Sequence, residues 1–348
     1  MENPIHSNLP QELILEITLR LPTKTLLRFK CVSTEWNTLI RSPNFAKQHF
    51  SHKSNQELLL AQRYNFYKEK YTLVLFIDDS LSQYDEPDHL QIPGTQIIMG
   101  PLNGVFCVEF GFGLNSFGDY KLVYIQYLWD NESDGPYYPC IISVYNSGSD
   151  SWRHFEETDF VNYERSVYKS LVNTYLNEVY YWLMVHVDNP PSIACILAFD
   201  MRQDKFREIK GPNGIRTVDV YLGLYGDSVA LLSDEKHKFV DVWVMESEGH
   251  WSRIFKVGPI EDICWPLGFW KNNALLFETS TTNELSMYNV RTKALRTFED
   301  HEAGRYLFGV FIYKESLVSI KGEGDNCYMW DTSSDVLMDF FRRQLRNR

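Results

Sequence analysis

The residue types that do chemistry are all present in this sequence, but not in patterns that would let them cooperate. A phosphate cradle needs glycines in a fixed run between a strand and a helix, so that backbone N–H groups can approach the anion. Gly111, Gly113 and Gly118 miss that spacing, and no strand–helix–strand context surrounds them, so they read as turn glycines. A structural zinc site needs clustered thiolates and imidazoles. The six cysteines, Cys31, Cys107, Cys140, Cys195, Cys264 and Cys327, include no C-x-x-C pair and have no histidine at zinc-finger spacing. They read as small buried hydrophobes in a reducing compartment. The hydrolase and metalloprotease signatures G-x-S-x-G and H-E-x-x-H are absent, as is the phosphate-binding G-x-x-x-x-G-K-[ST]. His154, His186 and His250 stand isolated in β segments. The acidic pairs Asp78-Asp79 and Glu156-Glu157 fall at strand ends, where solvated loops are the default. Trp152 and Trp251 follow turns and read as packing anchors. The expectation is a non-catalytic protein with no metal and no cofactor.

Bulk properties narrow the partner. The formal net charge is -12, whereas a nucleic-acid binder needs a basic surface to displace counterions from phosphates. DNA and RNA are therefore not expected as partners, and a basic protein suits the charge better. No apolar run approaches the ~20 residues of a membrane span. The opening Met1-Glu2-Asn3-Pro4 lacks a signal pattern, so no membrane partner is expected and the compartment is the cytoplasm, with the nucleus also open. Aromatic residues make up 15% of the chain and favour strands.

The elements that must position a binding surface come in two kinds. From Leu9 to Phe50 the periodicity is helical. Pro10 sits where a helix tolerates proline best, and Leu13, Ile14, Ile17 and Leu21 then follow at helical spacing. Pro22 stops this helix, and Thr23 can cap a second that carries Leu26, Leu27 and Phe29 and runs to about Cys31. Ser33 can cap a third, with Trp36, Leu39 and Ile40 on one face. Ser42-Pro43 ends it and can start a short last turn. So small a bundle has more large apolar side chains than its inner face can bury. Leu9, Pro10, Ile14, Leu26, Val32 and Trp36 are the candidates for an outward stripe. From periodicity alone two readings stand equally: a partner surface, or packing against the chain's own β region.

The run Leu9-Pro10-Gln11-Glu12-Leu13, Ile17, Leu21-Pro22, Leu26-Leu27-Arg28-Phe29, Cys31-Val32-Ser33, Trp36, Leu39-Ile40 and Ser42-Pro43-Asn44-Phe45 resembles the plant F-box nearly end to end. The resemblance implies that Leu9, Pro10, Leu13, Ile14, Ile17, Leu21, Pro22, Leu26, Leu27, Cys31, Val32, Trp36, Leu39 and Ile40 grip a Skp-type adaptor, which is held in turn by a cullin and its RING protein. One departure is Thr34-Glu35, where family members often carry a basic residue.

Beyond the polar stretch Ser51–Glu57, short apolar runs alternate with turn residues: Leu58–Ala61, Tyr71–Ile77, Gly104–Val108, Tyr120–Tyr127 and Cys140–Tyr145. A repeat follows. Ile142–Asn146 with Ser151-Trp152-Arg153, Leu197–Asp200 with Lys205-Phe206-Arg207, Val240–Val244 with His250–Arg253, and Leu285–Asn289 with Lys293–Arg296 are four copies of strand, polar turn, strand. Between them lie inner pairs: Leu171–Asn173 with Val179–Val185, Val220–Gly223 with Val229–Leu232, Gly268–Trp270 with Ala274–Phe277, and Phe308–Ile312 with Leu317–Ile320. Two hairpins per unit make one four-stranded propeller blade.

Gly104–Val108, Gly111-Phe112-Gly113 with Asp119–Val123, Tyr145 with Asp150–Arg153, Asp241–Met245 and Tyr313–Leu317 are similar to the F-box-associated domain, and within it to the S-locus F-box proteins of pollen. The resemblance implies a small all-α F-box followed by an all-β propeller of about six blades, acting as the substrate receptor of a ubiquitin ligase. Its target would be a protein, in the S-locus subgroup a basic ribonuclease, held by propeller loops. Family members usually insert a Trp-Asn-Pro-Ala-Thr-type segment where Val108 here runs through Glu109-Phe110 into Gly111, so one blade is expected to be incomplete. The expected plan is residues 1–50 F-box, 51–57 linker, 58–331 β-propeller and 332–348 C-terminal helix or tail. Val336, Leu337, Phe340, Phe341 and Leu345 supply the stripe of that helix. Two rivals remain: a propeller enzyme or carbohydrate-binding module, and a truncated F-box protein that competes for the adaptor.

Overall fold

The computed structural model describes residues 10–52, 57–65, 67, 70–76, 83–84, 98–102, 105–108, 111–116, 118–127, 140–155, 165–167, 172–186, 193–216, 220–235, 238–271, 274–298, 305–314 and 316–317. The chain divides into two compact units. The first holds four helices, α1 (Gln11–Leu19), α2 (Thr23–Phe29), α3 (Thr34–Arg41) and α4 (Pro43–Ser51). Ser33 caps α3 as expected, accepting from the Trp36 N–H at 3.3 Å, and Ser42 caps α4 through the Phe45 N–H at 3.2 Å. Thr23 is not a cap. Pro22 occupies that place, and Thr23 is the first helical residue. The short last turn expected after Pro43 is a full helix.

The second unit is built of strands. In chain order they are β1 (Glu57–Asn65), β2 (Lys70–Phe76), β3 (Gln83–Tyr84), β4 (Ile98–Leu102), β5 (Val105–Val108), β6 (Phe112–Leu114), β7 (Tyr120–Tyr127), β8 (Cys140–Asn146) and β9 (Ser151–Phe155). Next come β10 (Arg165–Val167), β11 (Tyr175–Leu176), β12 (Val179–His186), β13 (Cys195–Asp200), β14 (Lys205–Lys210), β15 (Val220–Tyr225), β16 (Ser228–Glu235), β17 (Phe239–Ser247) and β18 (His250–Val257). The last are β19 (Ile263–Trp270), β20 (Ala274–Thr279), β21 (Leu285–Asn289), β22 (Leu295–Thr297) and β23 (Arg305–Lys314). Sheets β6–β9, β15–β18 and β19–β22 are simple four-stranded meanders. A fourth sheet runs β10-β12-β13-β14 with β11 also on β12, and a fifth runs β23-β1-β2-β3.

The described residues thus form five blades, fewer than the about six expected. The sixth sheet is a two-stranded ladder, β4–β5, at the place where the segment after Val108 is missing. All four repeat copies are outer hairpins, β8–β9, β13–β14, β17–β18 and β21–β22. One inner pair differs from expectation. In the β12 sheet the described inner strands are β11 at Tyr175–Leu176 together with β10. β23 pairs with β1 on one edge, and residues 318–320 of its expected partner Leu317–Ile320 lie outside the described residues. The tail 332–348 lies outside them as well.

Short polar side chains set the outer turns. The Asn146 carboxamide oxygen accepts from Gly148 N–H at 2.8 Å. Asp200 accepts from Arg202 and Gln203 at 2.9 and 2.8 Å, and Asn289 from Arg291 and Thr292 at 3.0 and 2.9 Å. Each turn then closes through one left-handed residue, Asp150, Asp204 or Lys293. Gly111 and Gly113 are not turn residues. A Cβ on Gly113 would lie 2.6 Å from the Tyr175 ring of the next blade, and one on Gly111 would lie 2.5 Å from Trp182. Tyr175 also donates its hydroxyl to Leu114 O at 2.7 Å, and buried Lys121 pairs with Asp204. Behind these contacts Val123, Ile125, Ile142 and Val144 pack on Tyr180, Trp182, Leu197 and Phe199, so neighbouring blades share one core.

Closure of the ring has a polar component. Glu278 of β20 is buried and accepts a long hydrogen bond, 3.4 Å, from the Leu307 N–H of β23. Burial drives its pKa up to about 7, against the opposing pull of that N–H and of Arg63 in β1. Arg63 lies with its guanidinium over Phe298, 4.4 Å from the ring centre. A carboxyl whose folded pKa exceeds its unfolded one stabilises the fold at low pH, and that stability is lost as pH climbs from about 4.5 to about 7. Glu278→Gln should therefore be more stable than the wild type at pH 8, by at most about 3 kcal/mol at ~1.4 kcal/mol per pKa unit, with little difference at pH 4.5. Urea unfolding across that range reads the effect.

Candidate functional site

The helical bundle is short of inward-facing space. Leu19, Leu26, Ile40, Phe45, Ala46 and Leu317 form its buried core, with Leu15, Leu21, Phe29, Trp36 and Leu39 packed half-buried around them. Phe29 and Trp36 meet edge to face at 5.4 Å. His49 is buried, and its Nε2–H donates to Leu21 O at 2.9 Å, tying α4 to the corner between α1 and α2. Thr18 turns its hydroxyl back onto Ile14 and Leu15 carbonyls, which leaves its methyl to the core.

With the core full, the remaining apolar side chains face water. Leu13 and Ile17, one turn apart on α1, are 49% and 51% exposed. Leu27 on α2 is 48% exposed, and Val32 in the turn after α2 is 67% exposed. Pro10, Pro22 and Cys31 are exposed too, and Ile14 is half-buried. Charges flank these residues. Glu16 and Arg20 pair at 2.7 Å on α1, and Lys24 and Arg28 stand exposed on α2. Lys30 is held below the usual lysine range by partial burial first and by the Arg41 guanidinium second. Isolated exposed leucines are ordinary, but a run of four on adjoining elements of one small bundle has the character of a contact surface. Burying each is worth roughly 1.5–3 kcal/mol.

The sequence-predicted residues fall into three groups. Pro10, Leu13, Ile17, Pro22, Leu27, Cys31 and Val32 are open to a partner. Ile14, Leu21, Trp36 and Leu39 are half-buried and shape the floor. Leu26 and Ile40 are wholly buried, so the placing of Leu26 in the outward stripe is corrected: it is the side chain that α2 turns into the bundle. Leu9 lies outside the described residues. Sequence reading missed Leu317, which is distant in the chain and was assigned to a strand. It also missed the basic rim of Lys24, Arg28, Lys30 and Arg41.

Among the described residues of the β unit, the chemistry-bearing side chains singled out in the sequence are not brought together. The His154 ring approaches Ser143 Oγ at 2.8 Å, a pair that sequence spacing did not reveal, since the two sit across from one another on β8 and β9. Ser143 is fully buried, so no substrate can reach its oxygen. His250 donates from Nδ1 to the Glu248 carbonyl at 3.2 Å, and the His186 side chain lies outside the described residues. Among the described residues no group of three or more His, Cys, Asp and Glu could hold a metal ion, and no helix is long and apolar enough to cross a membrane.

Comparison with known proteins places both units. The family model for the F-box domain matches residues 6–48, and the model for the F-box associated beta propeller domain matches residues 102–320. An F-box/kelch-repeat protein of Arabidopsis thaliana is 25% identical over 336 residues, covering 81% of this chain and 88% of its own length. The Arabidopsis thaliana F-box protein CPR1 is 20% identical over 380 residues, covering 92% of this chain and 91% of its own. The division into core and surface has a direct consequence. Leu26→Ala should cost about 2–5 kcal/mol of bundle stability, while Leu13→Ala and Val32→Ala should each stay within about 0.5 kcal/mol of wild type. Chemical denaturation followed by helical circular dichroism measures the contrast.

Proposed function

Because this chain belongs to the family of F-box proteins with an F-box-associated β-propeller domain, we propose that it is the substrate receptor of a Skp–cullin–F-box ubiquitin ligase. The observation that carries this reading is the exposed set Leu13, Ile17, Leu27 and Val32 on a bundle whose core is already full. These residues, with Pro10, Pro22 and Cys31 around them, would seat the Skp-type adaptor, and through it the cullin and RING protein. Leu26 and Ile40 would act from beneath by fixing the helices. The receptor performs no bond chemistry itself. Holding a target lysine near a charged conjugating enzyme converts an encounter between dilute partners into a near-intramolecular one.

The β domain would hold a protein target on its loops. The net charge of -12 favours a basic protein, and the S-locus resemblance narrows the proposal to a basic ribonuclease recognised in self-incompatibility. Such work would take place in the cytoplasm or nucleus. A second reading is motivated by the two-stranded β4–β5 sheet: a receptor that binds adaptor, holds no target and competes with intact receptors.

The triple variant Leu13→Ala, Ile17→Ala, Val32→Ala should bind a purified Skp-type adaptor at least 100-fold more weakly, about 1 kcal/mol per side chain, with an unchanged circular dichroism spectrum. Equal affinity of variant and wild type would remove the adaptor assignment. Reconstituted ubiquitylation of a basic ribonuclease then separates the two readings, since a competitor lowers modification by an intact receptor and a receptor raises it.

A further inference from the structure

The seven tryptophans among the described residues are not treated alike. Six are buried or half-buried, while Trp265, the third residue of β19, is 45% exposed. A tryptophan left open on a sheet forgoes the burial its rings could gain, so its place calls for a reason. The backbone supplies part of one. β19 pairs with β20 through two register shifts, one between Ile263 and Trp265 and one between Pro266 and Gly268, which bracket the Trp265-Pro266 step. Bulges of this kind re-aim a side chain and recur beside functional sites. The neighbouring sheet supplies a second ring. Tyr221 of β15 lies with its ring centre 5.9 Å from that of Trp265, the planes tilted by 54°, and its hydroxyl donates to Cys264 O at 3.5 Å.

This pair sits at one end of two adjoining sheets. Register places Val220 opposite Ser233, Ser233 opposite Asp241 and Val240 opposite Val257 in the β15–β18 sheet. In the β19–β22 sheet Ile263 lies opposite Thr279, and Glu278 opposite Leu285. Segments 233–241, 256–263 and 278–285 therefore gather at that end, and they hold seven acidic residues against three lysines. One of the three, Lys256, is already paired with Glu235 and Asp241. The field reaches the strand that carries the indole. Partial burial first, then the charges of Glu278, Asp234 and Asp262, push the Cys264 thiol up, against a hydrogen bond with Trp265. The same end is tied together. Ile260 N–H donates to Lys238 O at 2.9 Å, and Asp262 accepts from the Ser280 and Thr281 N–H groups, each at 3.1 Å, and from both their hydroxyls. Partial burial opposes ionisation of Asp262, but these four bonds prevail and hold its carboxyl below the usual range.

We infer that Trp265 and Tyr221 are the seat for an arginine or lysine side chain of a protein target, with the cation over the Trp265 ring and Asp234, Glu261 and Asp262 supplying the opposing charge. A cation is drawn to the face of an indole more strongly than to any other aromatic side chain, and tryptophan is enriched among the few residues that carry an interface. Charge complementarity selects the occupant. An aromatic pair can also stack a neutral sugar, but the excess of carboxylates at this end favours a cation and repels phosphate. A site whose connections are hydrogen-bonded to one another before binding has little ordering left to do when the target arrives. The inference rests on the receptor reading for one point, that the occupant is a protein, and it places the target contact on the β15–β18 and β19–β22 sheets.

Fluorescence anisotropy of the full chain with a labelled Gly-Arg-Gly-Arg-Gly-Arg-Gly peptide tests this. The same peptide with citrulline, which keeps the shape of arginine and loses its charge, should bind about tenfold more weakly. Trp265→Ala should weaken the arginine peptide about tenfold, and Trp265→Phe about threefold, because a phenyl face holds a cation less well than an indole. Glu261→Gln should weaken it about twofold, whereas Asp227→Asn, which removes one exposed charge at the opposite end of the β15–β18 sheet, should leave it unchanged. All four variants should keep the circular dichroism spectrum of the wild type. Equal binding by Trp265→Ala and wild type overturns the inference. So does equal affinity for the citrulline peptide, or failure of the wild type to bind the arginine peptide. Preference for chitohexaose over the peptide would make the occupant a sugar, and a concentration-dependent dimer that Trp265→Ala abolishes would make it a second copy; either result overturns it too. Capture of a purified Skp-type adaptor, read on the same samples, keeps the two readings apart. A wild type that captures no adaptor counts against the receptor reading, while the peptide result alone decides the Trp265 site.

Discussion

A ring of blades stays a ring only if its first and last sheets share strands, and here that condition falls on the pairing of β23 with β1. The other sheets among the described residues are built from strands close together in the chain. The β23-β1-β2-β3 sheet cannot form until both ends of the β region meet, so it carries the loop-closure entropy of that region. The seam is correspondingly reinforced. Leu59, Ala61, Val74 and Phe76 of the first blade join Trp270, Leu276 and Met287 of the last blade, with Leu307 and Val310 of β23, in one core. Within that seam Glu278 is buried at a cost in desolvation, offset in part by the Leu307 N–H and by the charge of Arg63.

The helical unit obeys the opposite constraint. Its four helices have seven to nine residues each, too short to be stable alone, and propensity cannot hold them together. Packing must, and each helix can contribute only one or two side chains to the centre. Leu26 and Ile40 are those contributions from α2 and α3. The leucines and isoleucines left over are therefore a geometric consequence of small size, and a partner that covers them completes the bundle. Under the proposed adaptor reading, the same residues would serve stability of the complex and recognition at once.

Much of this was legible in the sequence, because the informative features are local. Ser33 as a cap, the 3.6-residue spacing of α1 and the four outer hairpins all depend on residues within a few positions of each other. What the sequence concealed is non-local. Periodicity marks Leu26 and Leu27 as apolar but cannot say which of two neighbours points inward. That depends on where α4 crosses, and His49 on Leu21 O helps to fix it. Gly111 and Gly113 looked like turn residues because their reason for being glycine, the rings of Trp182 and Tyr175, lies in the following blade. The pairing of β23 with β1 was hidden for the same cause: the two strands lie at opposite ends of the β region, and no local pattern links them.

The two ends of each sheet carry different obligations, and this bears on how a receptor of this kind can change its target. At one end the outer turns are fixed by side-chain bonds from Asn146, Asp200 and Asn289 and by left-handed residues at defined places, so insertions there would break register. The strand ends opposite are joined by connections such as residues 128–139 between β7 and β8 and residues 156–164 between β9 and β10. Lengthening a connection of that kind costs only about 0.6 kcal/mol per doubling. These two connections contain seven acidic residues and no lysine or arginine, so their charge is set independently of the strands they join. A fold that fixes its register through one set of turns can accept changes of length and charge in its other connections, which is the condition for one fold to select many different proteins.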